Sequence, residues 1–195
     1  MPKWIKIWLQ FSLVNNIRIL TNGRMKIIQK YVWLLFLVLT IKTFGQNSVD
    51  PSFVKKVQKA AGAFKIKDPV ASDPVAVDAK LVWNSKKTQA AVIVKAKLLE
   101  GWHIYAYVPS TQPYIQYKMV LELPESVNPL GDWIKPNSYP YEDNIFVYKG
   151  EIFFIRYFSV ENLKKDAVIK AGLFYQTCDI KQCLQPNTKT SDLKL

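Results

Sequence analysis

Apolar and polar residues alternate with a period of two along most of the chain beyond residue 75, the pattern of half-buried β-strands. In the segment 115–123, for example, every second side chain is apolar. Prolines and an Asn-Ser pair interrupt the alternation at short intervals, as expected of turns. Strands are therefore predicted at 75–83, 89–98, 102–108, 115–123, 144–149, 151–160, 167–177 and 189–194.

This spacing of short, aromatic-rich strands predicts an all-β fold, an antiparallel β-sandwich over residues 75–195. The preceding segment, 46–74, has a different character. Residues 50–58 are predicted to form one or two helical turns, with Pro51 suited to a first helical position. Two Asp-Pro pairs between residues 65 and 74 predict turns or an extended linker.

The N-terminal residues 1–45 are predicted to lie outside this domain. An apolar run of 11 residues, 31–41, follows Lys26 and Lys30, and it is shorter than the roughly 20 residues that span a bilayer. A basic segment followed by a short apolar run is typical of a secretory signal peptide. Met25 is its natural start, which makes residues 1–24 an upstream extension. The domain is therefore expected to be periplasmic or otherwise exported; retention of 31–41 as a membrane anchor is the less favoured alternative.

The strongly basic composition comes largely from this leader. Residues 1–45 hold 7 of the 27 basic residues and no acidic residue, so the remaining chain has 20 basic and 15 acidic residues, a net charge of +5. The remaining lysines are scattered along the sequence rather than gathered into one run. No nucleic-acid partner is therefore expected.

Most kinds of catalytic site lack their residues in this sequence. His103 is the only histidine, and a zinc site would need it together with both cysteines and a carboxylate, so neither a metal nor a cofactor is expected. His103 alternates with aromatic residues on a predicted strand, which favours a partly buried strand residue over a catalytic base. The aromatic residues Trp102, Tyr105 and Tyr107 would suit a ligand-binding surface, but core and strand positions explain them as well.

The two cysteines carry the most specific chemistry. Cys178 and Cys183 are separated by four residues and close the predicted strand that ends at residue 177. A disulfide between them would be either structural or redox-active. A loop of this size would stabilise the fold by only about 2 kcal/mol, near the low end for disulfides. Local disulfides at turns are also easier to reduce than buried ones. The residues alone leave the two possibilities balanced.

Three segments together resemble the N-terminal periplasmic domain of the transmembrane thiol-disulfide reductase DsbD. Residues 175–186 are similar to its Tyr-Gln-x-Cys strand, with a short turn, a second cysteine and a proline. Residues 100–105 are similar to a Gly-aromatic-aromatic-apolar-Tyr strand of that domain. Residues 139–143, followed by 147–148, are similar to the loop that covers its cysteines. The segments occur in the family's order.

The resemblance implies an immunoglobulin-like β-sandwich with one reversible dithiol. It implies that Cys183 forms the mixed disulfide with partner proteins and that Cys178 resolves it. An aromatic cap, Tyr141 or failing that Tyr139, would shield the pair until a partner displaces it. The side chains expected to line the site are Tyr105 and, with it, His103.

The resemblance also implies the partners. They would be a membrane-embedded thiol reductase as electron donor and exported thioredoxin-like proteins as acceptors, with no small-molecule substrate. Because the sequence contains no membrane bundle and no thioredoxin-like domain, we expect these partners to be separate chains. The alternative is an exported interaction or adaptor domain whose disulfide is purely structural.

Overall fold

The computed structural model of the protein describes residues 49–162 and 164–195. The predicted leader, residues 1–45, lies outside the described residues, as does the beginning of the predicted linker. Within the described ranges, no helix combines the length and the apolar character needed to cross a membrane.

One helix precedes eleven strands in the described residues. The helix α1 is Pro51–Ala63, and the strands are β1 Val75–Trp83, β2 Gln89–Leu98, β3 His103–Tyr107, β4 Lys118–Glu122, β5 Val127–Ile134, β6 Tyr139–Pro140, β7 Phe146–Lys149, β8 Glu151–Val160, β9 Val168–Tyr175, β10 Thr177–Cys178 and β11 Asn187–Lys194.

The observed strands agree well with the predicted ones. β1, β2 and β8 have the predicted bounds, whereas β4 is shorter than the predicted 115–123. The prediction missed β5, because Pro129 and Gly131 interrupt the apolar pattern there. Proline is tolerated at a sheet edge, and β5 is the outermost strand of its sheet.

The strands form three antiparallel sheets, with the orders β1-β2-β8-β5, β10-β3-β7-β6 and β11-β9-β4. All three contribute to one apolar core. Phe154 and Phe158 of β8, Ile104 of β3 and Leu173 of β9 are completely buried in it. The prediction of an all-β antiparallel sandwich is confirmed.

Helix α1 covers the outer face of the four-stranded sheet. Asp50 caps the helix by accepting a 2.8 Å hydrogen bond from the Ser52 backbone N–H. Phe53, Val57 and Ala61, spaced four residues apart, form its buried stripe. They pack on apolar residues of β1, β2 and β8, namely Val82, Ala91, Ile93, Ile155 and Tyr157. The prediction of one or two helical turns was too short: the helix has 13 residues and belongs to the folded domain.

Candidate functional site: a disulfide hairpin beside a tyrosine-histidine cluster

The two cysteines face each other across a tight turn that follows β10. Cys178 and Cys183 form a disulfide with their Cα atoms 4.0 Å apart, and their backbones are paired as an isolated antiparallel bridge. The pairing extends outward from the bridge, since the Leu184 N–H donates a 2.9 Å hydrogen bond to the Thr177 carbonyl. The backbone therefore holds the two sulfur atoms together without help from the rest of the fold.

Asp179 organises the turn between the cysteines. Its Oδ1 atom accepts 2.7 Å hydrogen bonds from the backbone N–H groups of Lys181 and Gln182. These two bonds lower the pKa of Asp179 below its usual value, so the turn carries a negative charge. Ile180, at the tip, is 91% exposed. A carboxylate and an exposed apolar side chain thus lie beside the disulfide.

The two cysteines differ sharply in exposure. Cys178 is only 1% exposed and packs with Tyr105, Ile145 and Val147 in a small apolar cluster. Cys183, on the returning arm of the hairpin, is exposed. An external thiol can therefore approach Cys183, whereas Cys178 is covered by protein.

Tyr105 of β3 binds the buried sulfur directly. Its hydroxyl donates a 3.1 Å hydrogen bond to Cys178 Sγ and lies 3.9 Å from Cys183 Sγ. The ring stacks on that of Tyr114 at a centroid distance of 4.7 Å. Burial raises the pKa of Tyr105, with a smaller contribution from Tyr114 and Tyr141. The hydroxyl consequently stays protonated and remains a hydrogen-bond donor to sulfur.

His103 lies two residues before Tyr105 and directly opposite Cys178 in the β3–β10 register. It is 4% exposed, and its ring centroid lies 5.2 Å from that of Tyr105 and 4.9 Å from that of Tyr141. Its Nε2 atom is buried and has no hydrogen-bond partner among the described residues. Burial lowers the pKa of His103 and the positive charge of Lys149 lowers it further, while Asp179 acts in the opposite direction. The imidazole is therefore neutral near pH 7.

The segment predicted to cap the cysteines forms a hairpin between β6 and β7. Asp143 and Asn144 occupy its turn with positive φ angles of 50° and 61°, a conformation that Asp and Asn tolerate better than most residues. The Tyr141 N–H donates a 2.8 Å hydrogen bond to the Ile145 carbonyl, which closes the turn. The Tyr141 ring is 37% exposed and has Lys149 Nζ 5.9 Å from its centroid. Tyr141 thus lies over His103 at the surface.

The structure brings together five of the six predicted site residues: Cys178, Cys183, Tyr105, His103 and Tyr141. The sixth, Tyr139, pairs with Val147 in the sheet but is 55% exposed, and no ring contact joins it to the disulfide residues within the described part of the chain.

Sequence reasoning missed Tyr114, Lys149 and Asp179 as parts of this site. Asp179 had a local signal, because an Asp just after a strand favours a turn. Lys149 enters through its register opposite His103, and Tyr114 through a loop that folds back on β3. Neither position has a signature in the sequence itself.

Two other candidate sites receive no support from the geometry. Trp102 and Tyr105 are buried at 9% and 2% exposure, and only Tyr107, at 51%, is well exposed, so the three rings do not form an open ligand-binding surface. Across residues 49–162 and 164–195, no three His, Cys, Asp or Glu side chains lie close enough together to hold a metal ion.

Comparison with solved structures places this fold beside several β-sandwich domains. The reduced N-terminal domain of DsbD from Neisseria meningitidis is 16% identical, with 53% of this chain and 76% of that chain covered and a TM-score of 0.36. The N-terminal periplasmic domain of ScsB from Proteus mirabilis is 17% identical, with 63% and 46% covered and a TM-score of 0.41. The GAE domain of yeast GGA1 is 14% identical, with 65% and 99% covered and a TM-score of 0.36.

The family comparison is decisive, whereas a search of curated proteins finds no match. The family model described as "Thiol:disulfide interchange protein DsbD, N-terminal" matches residues 71–195, which include every strand and both cysteines. The match confirms the resemblance seen in the sequence and the immunoglobulin-like fold that it implied. This chain belongs to the family of DsbD N-terminal thiol-disulfide interchange domains.

Proposed function

We propose that this domain is an exported electron relay that passes reducing equivalents between other proteins through Cys178 and Cys183. The observation that carries the proposal is the asymmetry of the pair. Cys183 is exposed, while Cys178 is buried and accepts a hydrogen bond from Tyr105. Thiol-disulfide exchange needs one accessible sulfur and one nearby sulfur that can leave and return.

Reduction of the domain follows from this geometry. A thiolate of the donor attacks Cys183 Sγ, the bond between the two sulfurs breaks, and Cys178 leaves with the electron pair as a thiolate. The hydroxyl of Tyr105, 3.1 Å away, stabilises the negative charge that develops on Cys178. A second thiolate of the donor then attacks the mixed disulfide and releases Cys183. The donor dithiol becomes a disulfide, and the two cysteines take up two protons.

Delivery of electrons reverses these steps. Cys183 as thiolate attacks the disulfide of an oxidised acceptor, and one acceptor sulfur leaves. Cys178 then attacks Cys183 Sγ, which restores the disulfide and releases the reduced acceptor. Because both sulfurs sit on one turn whose backbone is already paired, the exchange requires no refolding of the sandwich.

The surface around Cys183 supports docking of a protein rather than a small molecule. Exposed apolar side chains surround the hairpin and the cap: Tyr139 is 55% exposed, Phe146 38%, and Ile180 91%. Apolar residues concentrated at one place on a surface are typical of protein-binding sites. The proposed partners are a membrane-embedded thiol reductase as donor and exported thioredoxin-like proteins as acceptors. Tyr141 would be the cap that each partner displaces.

The proposed location is outside the cytoplasm, where disulfides persist. Residues 1–45 would be removed as an upstream extension and signal peptide, and residues 46–74 would lead into the β-sandwich of 75–195. N-terminal sequencing of the exported protein should find a start near Gln46. Recovery of the intact segment 31–41 in the membrane fraction would contradict cleavage.

A redox titration in glutathione or dithiothreitol buffers tests the relay. A reduction potential between about −120 and −270 mV, the range of working oxidoreductases, is expected. A potential below about −300 mV, where structural disulfides lie, would instead favour the adaptor alternative.

Trapping of partners tests the roles of the two sulfurs. The Cys178→Ser variant should accumulate mixed disulfides through Cys183, since the resolving thiol is missing. The matched Cys183→Ser variant should accumulate few, because its remaining thiol is buried. Equal trapping by both variants would contradict the assigned roles, and no trapping by either would contradict the relay.

A further inference from the structure

The only histidine of the chain lies inside the site. His103 is 4% exposed, packs between the rings of Tyr105 and Tyr141, and has no hydrogen-bond partner for its Nε2 atom among the described residues. A buried polar atom without a partner costs free energy, so such an atom in a native structure calls for an explanation. The proposed exchange reaction does not use this atom.

We propose that His103 is a positioning residue that holds Tyr141 over the disulfide while its imidazole is neutral, and that protonation of the imidazole releases Tyr141 and exposes Cys183. The proposal rests on the proposed function only in treating Tyr141 as the cap. It predicts a disulfide that reacts more readily in acid, independently of which proteins reduce or oxidise it.

The charges around His103 determine the direction of the effect. Tyr105 of β3 and Tyr141 of the cap are neutral rings, Lys149 of β7 adds a positive charge, and Asp179 of the hairpin adds a negative one. Burial and Lys149 outweigh Asp179, so protonation is disfavoured while the cap is closed. If Tyr141 moved away, water would reach the imidazole and this penalty would fall.

Attraction between an imidazolium and the Tyr141 ring would oppose release. However, Lys149 Nζ already lies 5.9 Å from the centroid of that ring, and a second cation at the same ring would be repelled by it. The net preference of the protonated form is therefore for the open cap.

Linkage then fixes the pH range. The pKa of His103 is lowered in the closed form and returns towards its ordinary value of about 6.5 in the open form. The stability of the closed form is therefore complete above about pH 6.5 and declines as the pH falls below that value. Each unit of difference between the two pKa values increases the open fraction up to tenfold in acid.

The first test measures the rate at which a small phosphine reductant, tris(2-carboxyethyl)phosphine, reduces the disulfide between about pH 5 and pH 8. The His103→Phe variant, which keeps an aromatic ring but cannot titrate, is the reference at each pH, so that the reagent's own pH dependence cancels. The ratio of wild-type to variant rate should rise about three- to tenfold from pH 7.5 to pH 5. A constant ratio would overturn the proposal. If His103→Phe fails to fold, His103→Gln serves as the reference.

The second test separates positioning from a purely structural role. Because the chain has one histidine, its imidazole signals in NMR spectra can be followed without assignment. The pKa of His103 should be lower in the wild type than in the Tyr141→Ala variant, and that variant should be reduced faster at pH 8. An unchanged pKa would overturn the proposal. Neither test uses a partner protein, so a negative result leaves the relay standing, and failure of the relay leaves these outcomes interpretable.

Discussion

The strands β2 and β10 belong to the same antiparallel fold, but their surroundings are opposite. β2 is ten residues long, pairs with β1 and β8 along its length, and is covered by α1 on one face and by the main core on the other. β10 is two residues long, pairs only with β3, and runs directly into an exposed turn. The first is a scaffold and the second carries the chemistry.

This difference shows how the fold can combine rigidity with a reactive bond. Segments with few buried apolar contacts open locally at a lower free energy than the core of a domain. The cap and the disulfide hairpin are such segments, since Tyr139, Phe146 and Ile180 are all exposed. A partner can therefore displace the cap while the four-stranded sheet and its helix stay folded.

The scaffold side of the comparison is tested most strongly at Phe154. This ring is completely buried and contacts the rings of Tyr117 and Tyr148 at 5.2 and 5.5 Å. Phe154→Ala should lower the free energy of unfolding by about 3–5 kcal/mol, measured by urea denaturation. Its neighbour Phe153 is 42% exposed, and Phe153→Ala should cost less than about 1 kcal/mol. Similar losses from both substitutions would contradict the assignment of the core.

The second prediction asks whether α1 belongs to the scaffold. Phe53 is 2% exposed and makes an edge contact with Tyr157 at 5.8 Å, so Phe53→Ala should cost about 3 kcal/mol in the same assay. The exposed Lys55 on the same helix is the control, and Lys55→Ala should change stability by less than about 0.5 kcal/mol. A negligible loss for Phe53→Ala would mean that the helix is dispensable.

Removal of the disulfide tests whether the site is separable from the scaffold. The double variant Cys178→Ala/Cys183→Ala should lose only about 2 kcal/mol, because the closed loop is short. Its circular dichroism should remain that of a β-protein. A loss above about 4 kcal/mol, or loss of the fold, would show that the hairpin supports the sandwich and would favour a structural disulfide.

The smallest expected effect concerns the hydrogen bond to sulfur. Tyr105→Phe removes a donor worth about 1 kcal/mol to the leaving Cys178 thiolate and should slow reduction by a small reductant about fivefold. Tyr114→Phe keeps the ring that stacks on Tyr105 and should leave the rate unchanged. Equal rates for both variants and the wild type would exclude a role for the Tyr105 hydroxyl.

The sequence predicted the scaffold better than the surroundings of the disulfide. The bounds of β1, β2 and β8 followed from apolar alternation, since each strand has one face that packs in the core. The cysteines and Tyr105 were identified from local motifs. Lys149 and Tyr114 could not be, because strand register and a returning loop bring them to the site. The length of α1 was underestimated, although the spacing of Phe53, Val57 and Ala61 already contained the helical period.

Helix α1 has a practical consequence for handling the domain. The family match begins at residue 71, after the helix ends at Ala63. A fragment cut at that boundary would expose to water the apolar side chains that the helix covers, among them Ile93, Ile155 and Tyr157. Uncovered sheet faces of this kind associate with each other. Such a fragment should be recovered in inclusion bodies or as soluble aggregates, whereas one that begins near Gln46 should be recovered as a dispersed protein.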